Sequence, residues 1–245
     1  MKKQSKGFTI VELMFSTAIF AGVLLLCLSA LVQIGRMYYK GVTTTQTQQA
    51  ARGIIDGIAQ SIQFSSATVK TPTALDGISA APSGPSVTVG GDVVTGAVGY
   101  FCVGATRYTF AMDRMQDNSN NTARKTIKHA VWVDEPGQCA SVVADVINSA
   151  VSPYRVDLMA DTPSAFNGRD MLGFNMRLTR LSILPVPLVG GDGSVWQVKL
   201  TVAYGEDDLL IVDPADATRR YCKGAQIGTE FCAFSELSTI IKRRL

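Results

Sequence analysis

Histidine is almost absent from this sequence: among 245 residues, His129 is the only one. The motifs C-x-x-C, G-x-S-x-G and H-E-x-x-H do not occur, and neither does a glycine-rich phosphate loop. These patterns mark many zinc sites, serine hydrolases, metalloproteases and nucleotide-binding enzymes. Their absence favours a protein that is not an enzyme and uses no cofactor. We expect His129 to be a surface or core residue rather than a catalyst.

The sequence also lacks a clear excess of positive charge. Its 23 Lys and Arg residues stand against 20 Asp and Glu residues. Lys2, Lys3 and Lys6 precede every acidic residue, and without them the balance is neutral. Nucleic-acid-binding domains usually carry a basic excess on one face. We therefore do not expect nucleic acid as a partner.

Cysteine is sparse. Cys27 lies in an apolar segment, and four others follow it: Cys102, Cys139, Cys222 and Cys232. Four cysteines in an exported region suit two disulfides, most simply Cys102–Cys139 and Cys222–Cys232, although three pairings are possible.

One long apolar run is present. From Phe8 to Ile34, 27 residues contain a single charge, Glu12. As a helix this run is about 40 Å long, enough to cross a hydrocarbon core of roughly 30 Å. It is too long for the apolar core of a secretory signal. The basic head predicts a cytoplasmic N-terminus and an exported C-terminal part.

Glu12 needs a partner, because a carboxylate costs about 2.5 to 3.5 kcal/mol at the bilayer centre. The next basic residue along the chain is Arg36. Cleavage before Phe8 would create a free amine. In staggered parallel helices, that amine would meet Glu12 of a neighbouring chain. The sequence therefore predicts that Glu12 is an assembly residue.

Residues 6–13, Lys-Gly-Phe-Thr-Ile-Val-Glu-Leu, resemble the class III leader of type IV prepilins and pseudopilins. The resemblance covers residues 1–60. It implies that a prepilin peptidase cuts between Gly7 and Phe8 and N-methylates Phe8. It also implies a single-pass cytoplasmic-membrane protein that later enters an extracellular or periplasmic filament, held to other subunits by its N-terminal helix. A host or neighbouring cell surface is a further partner of such filaments.

Beyond the apolar run, residues 36–40 form an interfacial belt of aromatic and cationic side chains. Apolar positions at Ile54, Ile55, Ile58, Ala59 and Ile62 then draw one helical face, which predicts a helix continuing to Phe64. Segments rich in β-branched and aromatic residues predict strands at 87–89, 93–103, 107–112, 130–134, 154–159, 171–184 and 194–204. The last two flank a glycine turn and predict an antiparallel hairpin.

The expected fold class is α+β, with the pilin-like layout that the resemblance implies. We expect a leader at 1–7, a membrane-spanning assembly half of the helix at 8–35, an amphipathic half at 36–64, and a β-rich head at 65–245. Residues 65–86 are predicted to be an exposed connection. A disulfide loop closes near the C-terminus, and residues 242–244 are expected to be a solvated basic tail.

Two further interpretations concern ligands and function. Asp207, Asp208, Asp213 and Asp216 are candidates for a calcium site, although their spacing is not that of an EF-hand. The length and the stretch at 48–52 resemble minor pilins of the J or W type. The alternatives are a major pilin, a minor pseudopilin of type II secretion, a competence pilin, or an unprocessed signal-anchored binding protein.

Overall fold

The structure is a computed structural model. It describes residues 7, 9–65, 69–70, 78–80, 87–89, 92–94, 98–117, 126–135, 168–186, 195–214, 220–224 and 231–244.

One helix, α1 (Ile10–Phe64), dominates the N-terminal part of the chain. Its 55 residues give a length of about 83 Å. Thr9 caps the N-terminus, and the backbone N–H of Ser65 donates to the Ser61 carbonyl at the other end, 3.0 Å away. The helix ends at Phe64, the residue that the sequence predicts.

Only the C-terminal half of α1 is covered by the rest of the chain. Its buried residues follow helical spacing and are Thr43, Thr47, Ala51, Ile54, Ile55, Ile58 and Ile62. The four isoleucines are the face that the sequence predicts, and Thr43 and Thr47 extend it towards the N-terminus. The hydroxyl of each threonine donates to a helical carbonyl one turn earlier, so both polar groups are satisfied where they are buried.

Beyond α1, the described chain contains a 3-10 helix (Asp207–Leu209), connecting turns and fifteen strands. The strands are β1 (Val69–Lys70), β2 (Ile78–Ala80), β3 (Val87–Val89), β4 (Asp92–Val94), β5 (Val98–Val103), β6 (Thr106–Ala111), β7 (Met115–Gln116), β8 (Thr126–Ile127), β9 (Val131–Asp134), β10 (Arg169–Asp170), β11 (Met176–Pro185), β12 (Val195–Tyr204), β13 (Leu210–Val212), β14 (Arg220–Cys222) and β15 (Ala233–Lys242).

These strands form two main sheets. One has five strands in the order β1-β5-β6-β9-β10, and the other has four in the order β15-β12-β11-β2. All pairings within them are antiparallel. With the long helix, this confirms the α+β prediction.

The predicted hairpin is present as β11 and β12, with Met176 opposite Tyr204 and Pro185 opposite Trp196. β15 pairs with the other edge of β12 over its whole length. The four-stranded sheet provides most of the surface on which α1 packs. The isoleucines of α1 join one core with large buried residues of both sheets, among them Phe101, Phe110, Leu178, Leu200 and Trp196.

The C-terminal residues 242–244 are not a free tail, although Lys242 and Arg244 are exposed as expected. Lys242 is the last residue of β15, and the backbone N–H of Arg244 donates to the Gln63 carbonyl of α1 at 3.2 Å. β15 reads Ala-Phe-Ser-Glu-Leu-Ser-Thr-Ile-Ile-Lys. Its inward positions mix polar residues, Ser235 and Thr239, with apolar ones, Ala233, Leu237 and Ile241. Its period-two pattern is therefore weak, and long-range pairing with β12 determines the strand.

Three other predictions need correction or lie outside the description. The expected exposed connection at 65–86 contains the short strands β1 and β2, which pair with β5 and β11. The single strand expected at 93–103 is divided between β4, paired with β3, and β5, paired with β6. The strand predicted at 154–159 lies outside the described residues.

Candidate functional site

The N-terminal half of α1 projects from the head as an uncovered apolar rod. From Ile10 to Lys40 every residue is exposed except Gly35, which is partly covered. Ile10, Met14, Phe15, Leu25, Leu26 and Met37 are each more than 65% exposed. This helix is long and apolar enough to cross a membrane. A contiguous apolar surface of this size marks a site of contact with lipid or protein.

Three hydroxyl side chains within the rod are satisfied by its own backbone. The hydroxyls of Ser16, Thr17 and Ser29 donate to carbonyls three or four residues earlier, at 2.8 to 3.0 Å. Such bonds remove the cost of placing a hydroxyl in an apolar environment. Glu12 remains as the only formal charge between Ile10 and Gly35.

Glu12 sits in the first turn of α1, in a capping box with Thr9. The backbone N–H of Thr9 donates to Glu12 Oε2 at 3.1 Å, and the Thr9 hydroxyl donates to the same oxygen at 3.0 Å. The backbone N–H of Glu12 lies 3.2 Å from the Thr9 hydroxyl oxygen, which accepts from it. The expectation of a cationic partner for Glu12 overlooked Thr9, although the sequence Thr-x-x-Glu is the signature of a capping box.

Glu12 keeps one oxygen for a further contact. Both bonds from Thr9 reach Oε2, and within the described chain no hydrogen bond reaches Oε1. Gly7 is exposed ahead of the helix. Phe8 lies outside the described residues.

The rod meets the head near Tyr39. The ring of Tyr39 lies against that of Phe231, with centroids 5.8 Å apart, and Tyr38 makes an edge contact with Tyr39 at 6.1 Å. At the far end of the head, Arg244 bonds to Gln63. β15 therefore runs in the same direction as the C-terminal half of α1, and the segment before it lies where the rod emerges.

A disulfide stabilises this junction. Cys222 and Cys232 are bonded, with their Cα atoms 5.8 Å apart, and Cys232 is buried beside Ala203 and Leu210. Cys102 is also disulfide-bonded. Cys139 lies outside the described residues. Cys27 is a free, exposed thiol on the rod.

Near the disulfide, a group of charged side chains that ranges from buried Arg177 to exposed Asp207 links several segments of the head. Arg177 is 1% exposed and pairs with Asp207, and it also donates to the Gly205 carbonyl at 2.9 Å. Arg220 on β14 donates to Asp113 at 2.7 Å. Asp113 lies two residues beyond the end of β6. No local sequence pattern reveals this group, because its members are widely separated along the chain.

The calcium candidates do not converge in the described part of the chain. Asp207 pairs with Arg177, Asp216 lies outside the description, and no three acidic, histidine or cysteine side chains come together among the described residues. His129 lies 3.0 Å from both carboxylate oxygens of Asp170 and contacts Trp132 edge-on. Burial raises the pKa of Asp170, and the His129 hydrogen bond opposes that rise. This pair links β10 to the segment before β9.

Comparisons of the chain with protein-family models, curated proteins and solved structures gave no match. The function is therefore inferred from the rod, Glu12 and the junction with the head.

Proposed function

We propose that this chain is a structural subunit, and a minor one, of a type IV pilus or related filament. The observation that carries the proposal is the exposed apolar rod of α1, in which Glu12 is the single charge between Ile10 and Gly35, preceded by the leader-like residues 1–7. The rod spans the cytoplasmic membrane before assembly. On assembly, the rod leaves the lipid and packs against the rods of neighbouring subunits.

The rod needs apolar cover both in the membrane and in the filament. Burying a large apolar side chain stabilises by about 1.5 to 3 kcal/mol relative to leaving it in water, and the rod carries many such side chains. Lipid offers similar cover, so specificity needs another contact. An amine at Phe8, created by cleavage after Gly7, would supply it by binding Glu12 Oε1 of the adjacent chain.

The capping box supports this role of Glu12. Two hydrogen bonds from Thr9 hold the carboxylate in one position at the helix start. A fixed carboxylate pairs with a partner at lower entropic cost than a mobile one. The box therefore prepares Glu12 to set the register between staggered helices.

Mass spectrometry of the N-terminal peptide from native cells tests the proposal. We expect a peptide that begins at N-methylated Phe8. A mature surface protein that retains residues 1–7 would refute processing and leave an unprocessed signal-anchored binding protein.

A filament assay with Glu12→Ala then tests assembly, with Glu12→Gln as the isosteric control for charge. Both variants should be cleaved and should fail to enter filaments at the wild-type level. If both enter normally, Glu12 does not set the register. Ser29→Ala, a neutral change on the same rod, should assemble as wild type does.

The functions within this class are separated by genetics. A minor pilin is required for pili, adhesion or twitching motility in the native organism, whereas a minor pseudopilin is required for protein secretion. We expect a deletion strain to lose the pilus functions, because the length and residues 48–52 resemble minor pilins.

A further inference from the structure

One end of the head faces the projecting rod, and we call it the base. It consists of the turn at 174–175, residues 204–209 and residues 231–232. The backbone N–H of Gly205 donates to the Asn175 carbonyl at 3.0 Å. Asn175, Glu206 and Phe231 line one cleft of about 300 Å³ at this end. These three segments therefore lie side by side.

The level of the base along α1 is given by Tyr39, whose ring contacts Phe231. Tyr39 is four residues beyond Gly35, where the apolar run has ended, which corresponds to a rise of about 6 Å. Side chains on a helix lean towards its N-terminus, so the Tyr39 ring lies nearer to the apolar run than its own Cα does. The Phe231 ring lies within 5.8 Å of that level, because its centroid is 5.8 Å from that of Tyr39.

A bilayer places its polar interface at the same level. The hydrocarbon core is about 30 Å thick and the whole bilayer about 40 to 45 Å, which leaves about 5 to 7 Å for each interfacial layer. The helical run from Ile10 to Ile34 is about 37 Å long and already exceeds the core. When the excess of the run lies on the cytoplasmic side, Gly35 is at the outer edge of the core. The Tyr39 ring, about 6 Å beyond that edge, then lies within the outer interfacial layer.

We propose that the base of the head rests in the membrane interface while the rod anchors the chain, with the Phe231 side chain in contact with lipid. This inference depends on membrane anchoring by α1, which is part of the proposed function. It does not depend on processing, on Glu12 or on filament entry. Phe231 would then be an interfacial anchor, supplied by the C-terminal disulfide segment rather than by the helix.

The structure holds Phe231 ready for such a contact. Its side chain is 46% exposed, although the next residue, Cys232, is 2% exposed and disulfide-bonded. Gly205 has a φ of +118°, and a Cβ there would lie 3.0 Å from the Phe231 carbonyl oxygen. The absent side chain permits this close approach, and the disulfide fixes the segment. An exposed aromatic ring on a rigid support suits the interfacial layer.

The charges of the base limit its depth. Glu206 and Asp208 are both exposed beside the cleft. Charged groups are costly in the hydrocarbon core, so the base stays among the headgroups and only its aromatic edge reaches the ester region. Contact should form with a zwitterionic bilayer and needs no anionic lipid.

Quenching by brominated lipid tests the proposal. The full chain is placed in phosphatidylcholine nanodiscs, with discs in excess so that each holds one copy, and Phe231→Trp is compared with the parent chain. The native tryptophans, Trp132 and Trp196, are 9% and 4% exposed within the head and give the baseline. We expect lipid brominated near the ester end of its chains to quench most of the emission that the Phe231→Trp substitution adds.

Ile240→Trp is the matched control. Ile240 is exposed on β15, and it lies about 30 Å farther along the chain direction than Phe231. We expect the emission added by the Ile240→Trp substitution to show no quenching. Intact Cys222–Cys232 bonding and an unchanged far-ultraviolet circular dichroism spectrum show that each variant is folded.

Three outcomes would overturn the proposal. The emission added by Phe231→Trp could be unquenched, like that added by Ile240→Trp. That result would place the base in water. Both variants could be strongly and equally quenched, which lays the whole head on the bilayer. The emission of the Phe231→Trp variant could shift to shorter wavelength without quenching, which buries that side chain against protein.

The assay and the test of processing can fail separately. Because quenching requires only the anchored chain, it can be absent while the native N-terminal peptide begins at Phe8. It can equally be present when that peptide still begins with the leader.

Discussion

Substituting Arg107 by Met should cost the head a large part of its stability. Arg107 on β6 faces Asp134 on β9, and both side chains are at most 1% exposed. Arg107 Nε donates to Asp134 Oδ1 at 2.8 Å, and a second guanidinium nitrogen donates to Oδ2 at 2.6 Å. Arg107→Met removes both bonds and leaves a buried carboxylate without its cation.

Breaking a buried ion pair by removing one partner costs about 3 to 5 kcal/mol. For a chain of this size, about 2 to 4 °C of melting temperature is lost per kcal/mol. We therefore expect the melting temperature of the Arg107→Met variant to fall by about 6 to 20 °C. The full chain in detergent is heated while near-ultraviolet circular dichroism follows tertiary packing.

Two controls separate the buried charge from loss of packing. Arg107→Met combined with Asp134→Leu should recover much of the loss, because an apolar pair of similar volume leaves no stranded charge. Arg180→Met breaks a surface pair with Glu236, whose side chains are 28% and 32% exposed and 4.0 Å apart, and should cost less than about 1 kcal/mol. A melting temperature of Arg107→Met within about 2 °C of that of Arg180→Met, equivalent to about 1 kcal/mol or less, would refute the reasoning.

Three further perturbations test the helix start, the disulfide and the Asp170 carboxyl. Thr9→Val should weaken the start of α1 by about 1 kcal/mol, seen as roughly fivefold faster amide exchange in the first turn, whereas Thr9→Ser should not; equal exchange in the two variants would contradict the capping box. Replacing Cys222 and Cys232 together by Ser should lower the free energy of unfolding by about 3 kcal/mol, measured in urea, and an unchanged midpoint would show that the bond adds nothing. Burial raises the pKa of Asp170 in the folded state, so the folded state holds this proton more tightly. The stability of the wild type relative to Asp170→Asn should therefore fall as the pH rises above the ordinary aspartate pKa of about 3.9. A rise in relative stability over that range would contradict the raised pKa.

The N-terminal helix and the β11–β12 hairpin could be predicted because their signals are local. The apolar run and the isoleucine spacing each lie within one helix, and the glycine turn separates two adjacent strands. Thr9 could also have been found, since its partner Glu12 is three residues away. A prediction that considers only charged partners of Glu12 overlooks Thr9.

The C-terminal part could not be predicted in the same way. β15 has few large apolar side chains on its inner face, and it forms because β12 offers it a full row of hydrogen bonds. Asp113 and Arg220 are 107 residues apart in sequence, and their contact joins β14, in a separate two-stranded sheet, to the segment that follows β6. No local pattern carries such a contact.

The sequence by itself determined that residues 8–34 suit a membrane, that Glu12 is the one charge within them, and that the part beyond them is rich in strands. These properties follow from hydropathy and periodicity, which act over a few turns of chain. The tertiary structure alone decided that the disulfide segment lies beside Tyr39, because β15 runs alongside α1 in the same direction. Direction and register in a sheet are set by long-range pairing, and that pairing placed Phe231 beside the end of the apolar rod.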